Sequence, residues 1–146
     1  MKISNHRVEE IINFIKGLKL DQKFQKEFTK EKIKNILYIN ESLTHSSANS
    51  EINYENLEFL GDAVLRLIAS DFIKNKYPYM QVGERSELRS HLVSDQWLEE
   101  VGKKIEIKSV LVIGNKALRD KSANATIQAQ ATEALIDTDS FRCQEG

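Results

Sequence analysis

The sequence has few helix-breaking residues and a single cysteine. Its 146 residues include one proline, Pro78, and six glycines, and low numbers of both favour long helices. The lone cysteine, Cys143, excludes an internal disulfide framework and a zinc site built from several cysteines. No apolar run approaches the roughly 20 residues of a membrane span, and the first residues contain no secretory h-region. We therefore expect a cytoplasmic protein that does not bind a membrane.

The chain also has no excess of charge of either sign. Lysine and arginine number 21 and aspartate and glutamate 22, for a formal net charge of −1. A strongly basic surface that binds any polyanion is therefore not expected, and nucleic-acid binding would have to rest on local basic patches. Apolar residues at 40% and charged residues at 29% are typical of one folded globular domain.

Apolar residues at helical spacing predict an all-α protein. The predicted segments are a helix around Val8–Leu18, a second capped by Thr29, a long helix from about Tyr54 to Lys76, and helices starting near Gly83, after Ser94 and after Asn124. Val110–Ile113 is expected to be a strand or a buried turn, and residues 114–123 a basic loop. After Ile136 the helical pattern stops, so the domain is predicted at 1–136 and an irregular tail at 137–146.

The long helix has an apolar face and an acidic face. The apolar face, which we predict to pack in the core, consists of Leu57, Leu60, Val64, Leu67 and Ile68. Glu55, Glu58 and Asp62 share a second face. Gly61 lies between them, where it costs about 1 kcal/mol relative to alanine. Another element is therefore expected to pack closely against this glycine.

Clustered acids on a helix are most often a solvated face, but two features favour a metal site. No lysine or arginine lies four residues after Glu55 or Glu58 to relieve their repulsion, and Phe59 projects beside them as an interface aromatic would. The last predicted helix adds Gln130 and Glu133, three residues apart. Oxygen ligands from two facing helices suit Mg²⁺ or Mn²⁺. Two such ions can activate water and stabilise the leaving oxygen in phosphodiester hydrolysis.

These residues also form a recognisable motif. Residues 56–65, NLEFLGDAVL, preceded by Glu55, resemble the signature helix of the ribonuclease III family. Supporting similarities are Leu43–Ser46 upstream, Leu88–Val93 after it and Glu133–Ile136 near the end, so the resemblance covers about 36–136. It implies an all-α endonuclease domain that acts as a homodimer on double-stranded RNA, with Mg²⁺ or Mn²⁺ as cofactor.

The resemblance assigns roles to individual acids and to one aromatic. It implies that Glu58, Asp62 and Glu133 are catalytic and hold metal, and that Glu55 supports the site as a further catalytic acid. It also implies that Phe59 locks the two subunits together.

Four basic side chains are predicted to contact RNA phosphates in this family context, the alternative being a plain solvated surface. They are Arg85, Arg89, Lys116 and Arg119.

The sequence departs from the family pattern in three places. Gln130 stands where the family has an aspartate, so we predict a neutral metal ligand and a site with one negative charge fewer. Val82 replaces the glutamate usual before Gly83. Asp137 interrupts the last helix, and the family's common RNA-binding domain is absent, so RNA binding is expected to be weaker and more salt-dependent.

The sequence therefore predicts a ribonuclease III type endoribonuclease that uses two metal ions on double-stranded or structured RNA, as in ribosomal RNA maturation. Its activity is expected to be lowered by Gln130. The alternative is a homodimer on the same fold that binds RNA without cleaving it. A purely structural helical dimer is the third hypothesis.

Overall fold

The computed structural model describes residues 3–20, 22, 26 and 32–140. The helices whose bounds it gives are α1 (Asn5–Gly17), α2 (Lys32–Ser42), α3 (Glu55–Lys76), α4 (Val82–Leu92), α5 (Asp95–Lys104), a 3₁₀ turn (Ile107–Ser109), α6 (Asn115–Leu118) and α7 (Lys121–Ser140). This described part contains no β-strand, only an isolated bridge between Thr44 and Val112. The predicted all-α fold is therefore confirmed, and the apolar run at 110–113 forms that one bridge.

Capping residues set where several helices begin. Ser94 accepts a hydrogen bond from the backbone N–H of Trp97 at 3.2 Å, so α5 starts after Ser94 as predicted. The start of α7 was predicted wrongly at Asn124. Asp120 accepts from the backbone N–H groups of Ser122 and Ala123, which moves the start to Lys121. The cap predicted at Thr29 lies outside the described residues.

Two segments predicted to be irregular are helical. Residues 115–118 form the short helix α6 and residues 121–123 begin α7, so the loop predicted at 114–123 is wrong for both stretches. The last helix continues to Ser140, so the irregular tail predicted from 137 is wrong for 137–140. Ile136 still packs against a buried cluster, and the Thr138 hydroxyl donates to the Leu135 carbonyl at 2.7 Å. Residues 141–146 lie outside the described ranges.

The last helix, α7, is the centre of the packing. Its buried residues occur almost without interruption at 127–129 and 131–134, so this middle stretch of the helix is enclosed by the rest of the fold. Both α3 and α5 pack against α7. The close contact is at Gly61 in α3 and at Gly102 in α5. A Cβ at Gly61 would lie 2.5 Å from the Glu133 carbonyl oxygen, and one at Gly102 would lie 2.8 Å from Thr132 Oγ1. The close approach predicted at Gly61 is confirmed.

The buried face of α3 is not the predicted one. Its buried residues are Gly61, Leu65, Ala69 and Ile73. Leu60, Leu67 and Ile68, predicted to lie in the core, are exposed, while Leu57 and Val64 are half-buried. Gly61 lets the backbones of α3 and α7 come together, which a larger side chain at that position would prevent. The large apolar side chains are therefore turned outward.

Candidate active site

The predicted acids meet where α3 crosses α7. The contact at Gly61 places Glu58 and Asp62 of α3 beside Glu133 of α7, which is only 9% exposed. Burial raises the pKa of Glu133 to about 7, with further increases from the charges of Asp62, Glu58 and Asp95 and a partial decrease from Arg66. Burial is the largest cause of this shift and the neighbouring acids add to it, so the crossing disfavours a negative charge on Glu133 that nothing compensates.

Glu58 lies in the same environment and is half-buried. Burial raises its pKa, and the charges of Glu55 and Asp95 raise it further, while a hydrogen bond from the Gln130 side chain lowers it. Glu55 itself is exposed at the start of α3, where its backbone N–H donates to Asn53 Oδ1 at 3.0 Å. Glu55 is thus a peripheral charge that acts on Glu58 and lies outside the buried group.

Asp62 has a positively charged partner within its own helix. Arg66 Nε donates to Asp62 Oδ1 at 2.9 Å, one turn later along α3. Both side chains are about half exposed, so the pair contributes little to stability. It nevertheless holds Asp62 and places a positive charge next to the acids.

Gln130 is engaged by a residue that the sequence analysis did not single out. The hydroxyl of Tyr54 donates to Gln130 Oε1 at 2.8 Å, and Tyr54 is 2% exposed. Burial raises the pKa of this hydroxyl, and the charges of Glu58 and Glu55 raise it further. The position of Tyr54 immediately before the acidic helix was the available signal, but its partner lies 76 residues away.

Asp95 is the second residue that the sequence analysis missed. It begins α5, and its charge raises the pKa of both Glu58 and Glu133. Nothing in its local sequence distinguishes it from an ordinary acid in the first turn of a helix. The packing of α5 against α7 brings it to the site.

The donor set fits a hard divalent cation by its chemistry. Carboxylates from two helices lie near one another in a half-buried region where negative charge is poorly compensated, and carboxylate oxygens are the ligands that Mg²⁺ and Mn²⁺ prefer. Across 3–20, 32–140 and the two isolated described positions, no three acidic, histidine or cysteine side chains are grouped closely enough to hold an ion as they stand. Ion binding would therefore require these side chains to turn.

Phe59 lies beside the acids and points away from α7. It is 79% exposed, and with Leu67 and Phe72 it belongs to what we call the outer face of α3. An open groove along this helix is lined by Leu67, Ile68, Asp71, Phe72, Asn75 and Lys76. The sequence analysis placed Phe59 off the core, which is confirmed.

Comparison with known proteins identifies the family. A family model described as Ribonuclease-III-like matches residues 35–138. The chain belongs to the ribonuclease III family.

Among similar proteins, ribonuclease 3 of Prochlorococcus marinus is 48% identical over 134 residues, which cover 92% of this chain and 54% of that protein. Ribonuclease 3 of Borreliella afzelii is 32% identical over 139 residues, covering 91% of this chain and 52% of that protein. The chain thus spans about half the length of these curated relatives.

The fold is that of the ribonuclease III nuclease domain. A structure of this domain from Campylobacter jejuni matches with a TM-score of 0.68 and 27% identity, over 83% of this chain and 85% of that one. That domain shows structural flexibility in a region involved in dimer formation. A second structure of it, at 2.2 Å resolution, matches with a TM-score of 0.67.

The basic residues predicted to contact RNA lie on different elements of this ribonuclease III fold. The Arg85 side chain donates to the backbone carbonyls of Met80 and Pro78 at 2.8 and 2.6 Å, so it braces the turn between α3 and α4. Arg89 Nη1 donates to Ser70 Oγ at 3.0 Å. Lys116 and Arg119 are exposed at α6 and its end. These last two are the freer candidates for a phosphate contact.

No helix in the part of the chain that the structure describes is both long and apolar enough to cross a lipid bilayer.

Proposed function

We propose that this chain is the nuclease domain of a divalent-metal-dependent endoribonuclease that hydrolyses phosphodiester bonds in double-stranded RNA. The observation that carries the proposal is Glu133, buried among the charges of Glu58, Asp62 and Asp95 where α3 crosses α7. Burying like charges is costly unless a cation compensates them. The family membership of the chain supplies the class of reaction.

Glu58, Asp62 and Glu133 are the residues that would hold Mg²⁺ or Mn²⁺. Bound there, the ions would lower the pKa of a water molecule and stabilise the leaving oxygen. Before the ion binds, Arg66 holds the Asp62 carboxylate, and Gln130 accepts a hydrogen bond from the Tyr54 hydroxyl. Glu55 adds negative charge at the exposed end of the site, where a second cation would be attracted.

The outer face of α3 is the surface we propose for a homodimer. Exposed apolar side chains clustered on one helix face are unusual for a monomer, and a self-complementary contact would cover them. Lys116, Arg119 and Arg89 are proposed to contact the RNA phosphates. Structured precursor RNA, such as that of the ribosome, is the proposed substrate class.

The test is single-turnover cleavage of one labelled RNA duplex in the presence of Mg²⁺ or Mn²⁺. Glu133→Gln and Asp62→Asn should each lower the rate more than about 100-fold, or about 3 kcal/mol of barrier, because each removes a charged ligand. Glu9→Gln, at an exposed position on α1, makes the same chemical change away from the site and should leave the rate unaltered. Equal rates for all three variants would refute the proposed site.

One observation favours a second function, an RNA-binding homodimer that does not cleave. The acids of the described chain are not grouped to hold an ion, and the oxygen of Gln130 is already bonded to Tyr54. Duplex binding without cleavage at any Mg²⁺ or Mn²⁺ concentration would support this function over the first.

A further inference from the structure

Asp62 is paired with a cation of its own helix. Arg66 Nε donates to Asp62 Oδ1 at 2.9 Å, one helical turn later on α3. The other ion pairs between residues that the structure describes join side chains within α1 or within α5. Within the described chain, Arg66 is therefore the cation that directly contacts an acid of the candidate active site.

This ion pair is easy to separate. The Arg66 and Asp62 side chains are 55% and 49% exposed, and exposed pairs contribute little because water solvates each partner well when they part. A divalent cation carries twice the charge of a guanidinium group and prefers carboxylate oxygen. A cation bound by Asp62 would therefore compete with Arg66 for the same carboxylate and would displace the arginine at little cost.

The guanidinium group of Arg66 can serve a second anion. An arginine carries several N–H donors in a planar fork, and the hydrogen bond to Asp62 uses the donor on Nε. The side chain is more than half exposed, so a ligand from solution can reach it. Because the fork matches the oxygens of a phosphate group, a displaced Arg66 is suited to bind a phosphate of an RNA backbone.

The flank of α3 beyond Arg66 carries a second guanidinium group. The Ser70 hydroxyl donates to the Arg66 carbonyl at 2.6 Å, one turn further along the helix. Arg89 Nη1, from α4, donates to that same hydroxyl oxygen at 3.0 Å. Since Asp62, Arg66 and Ser70 follow one another at four-residue spacing, they share one flank of the helix. Two guanidinium groups therefore lie along a line that starts at the acids, an arrangement that fits the phosphates of one nucleic-acid strand.

We propose that Arg66 exchanges partners: it neutralises Asp62 in the free protein, and when a divalent cation takes Asp62 the guanidinium group binds an RNA phosphate beside the acids. The inference rests on the proposed function, in which Asp62 holds metal. It assigns a role to a residue outside the acidic motif. The ion pair keeps the site partly neutral until cation and RNA are present together, so that neither the carboxylate nor the arginine is left without a counter-charge.

Calorimetric titration of the protein with Mn²⁺ alone, without RNA, tests the first half of the exchange. Arg66→Gln removes the competing cation and should tighten Mn²⁺ binding roughly threefold to tenfold at low salt. Arg66→Lys keeps the charge and should stay close to the parent. Lys103→Gln breaks a matched ion pair, with Glu99 four residues earlier on α5, and should change nothing. Unchanged or weaker Mn²⁺ binding in Arg66→Gln would overturn the inference.

Binding of a fluorescent RNA duplex tests the second half. With Ca²⁺, which also takes carboxylate oxygens, Arg66→Gln should lose one phosphate contact, so the dependence of the logarithm of affinity on the logarithm of salt concentration should become shallower by about one. The loss should be smaller in a chelator, where Arg66 stays on Asp62, and Lys103→Gln should keep the slope of the parent. Tighter Mn²⁺ binding in Arg66→Gln with an unchanged slope would show that no exchange takes place.

Nuclear magnetic resonance of the unmutated protein decides the question even if the variants do not fold. Saturating Mg²⁺ should shift the Arg66 Nε–H resonance, because its acceptor is taken. The Arg7 Nε–H, which donates to Asn40 Oδ1 at 2.8 Å, should not move. An Arg66 resonance that stays unchanged would refute the exchange.

These readouts need no RNA cleavage, so the two ideas fail separately. A parent that binds Mg²⁺ and duplex but cleaves nothing would refute the proposed function, while the exchange is still decided by the Arg66 data. A parent that cleaves while Arg66 stays on Asp62 would refute the exchange alone.

Discussion

The two faces of α3 differ in a way that reverses the usual arrangement of an amphipathic helix. The face against α7 carries small residues at Gly61 and Ala69 and the partly buried acids. The outer face carries Phe59, Leu67 and Phe72, which are 79%, 68% and 49% exposed. An apolar stripe normally marks the side that packs in the core. Here the helix packs through the side that allows the closest backbone contact.

The two faces of α3 therefore meet different requirements. Its inner face must approach α7 closely enough for acids on the two helices to influence one another, which small residues permit. Its outer face exposes Phe59, Leu67 and Phe72, and exposed large apolar side chains on one helix are the reason for proposing a second copy of the chain there. The acids lie at the border between the two faces.

The largest expected effect is on the outer face. Phe59→Ala should weaken the homodimer by roughly 2–4 kcal/mol, the range of an interface hot spot, because a large apolar side chain is removed from the proposed contact. Tyr38→Ala removes another exposed aromatic, on α2, and should leave dimerisation unchanged. Light scattering at micromolar concentration measures both. A monomeric mass for the unmutated chain would contradict the prediction and leave the outer face without a function.

The next effect adds a negative charge on α7, beside the acids on the inner face of α3. Gln130→Asp should raise the rate of metal-dependent cleavage roughly 100-fold or more, about 3 kcal/mol of barrier. The substitution loses the hydrogen bond that the buried Tyr54 hydroxyl donates to Gln130, at a cost of about 1–3 kcal/mol. It gains a carboxylate whose attraction to each unit of positive charge at 4 Å is about 4 kcal/mol near a protein surface, so the added charge should dominate.

Gln81→Asp makes the same change at the cap of α4, outside the site, and is the control for Gln130→Asp. Equal single-turnover rates for Gln130→Asp and the parent would show that position 130 does not influence the metal site.

A smaller effect concerns the pH dependence of stability without metal. The folded state holds the pKa of Glu133 at about 7, above its ordinary 4.5. Between these values the folded protein binds more protons than the unfolded chain, so the free energy of unfolding should fall as pH rises. At about 1.4 kcal/mol per pKa unit, and allowing for shared protonation with Glu58, we expect a loss of about 2 kcal/mol.

Glu133→Gln should remove this loss, and Glu9→Gln should retain it. Urea unfolding at pH 5 and pH 8 in the presence of a chelator measures the difference. A parent protein that is more stable at pH 8 than at pH 5, by an amount unaffected by Glu133→Gln, would be inconsistent with the buried acid group.

The smallest effect tests the close approach itself. Gly61→Ala places a methyl group 2.5 Å from the Glu133 carbonyl oxygen, which should cost about 1–3 kcal/mol of overpacking, partly offset by about 1 kcal/mol of helix propensity. We expect a net destabilisation of about 1–2 kcal/mol. Gly83→Ala has open space around its Cβ and should stabilise by about 0.5–1 kcal/mol. Similar unfolding midpoints for the two variants would mean that the helices can move apart freely.

Much of the fold followed from local sequence. The bounds of α3 and the start of α5 agree closely with the periodicity and with the cap at Ser94, because these signals act within one or two helical turns. The helix α1 begins at Asn5, before the predicted Val8, because Ser4 caps it. The start of α7 was missed because Asp120 and Asn124 are both good caps, and local sequence does not rank them. The end of α7 was missed because the helical backbone continues to Ser140, beyond Ile136, where the apolar pattern that predicted the helix ends.

The sequence by itself determined the helical class, the family, and the residues of the acidic motif at Glu58, Asp62 and Glu133. These depend on residue type and on spacing within single helices. Only the tertiary structure decided which face of α3 is buried, that Asp95 joins the acids, and that Tyr54 holds Gln130 from 76 residues away. The physical reason is that those contacts depend on how closely α3 and α5 approach α7 at Gly61 and Gly102, a distance set by the packing of three helices and by no one of them alone.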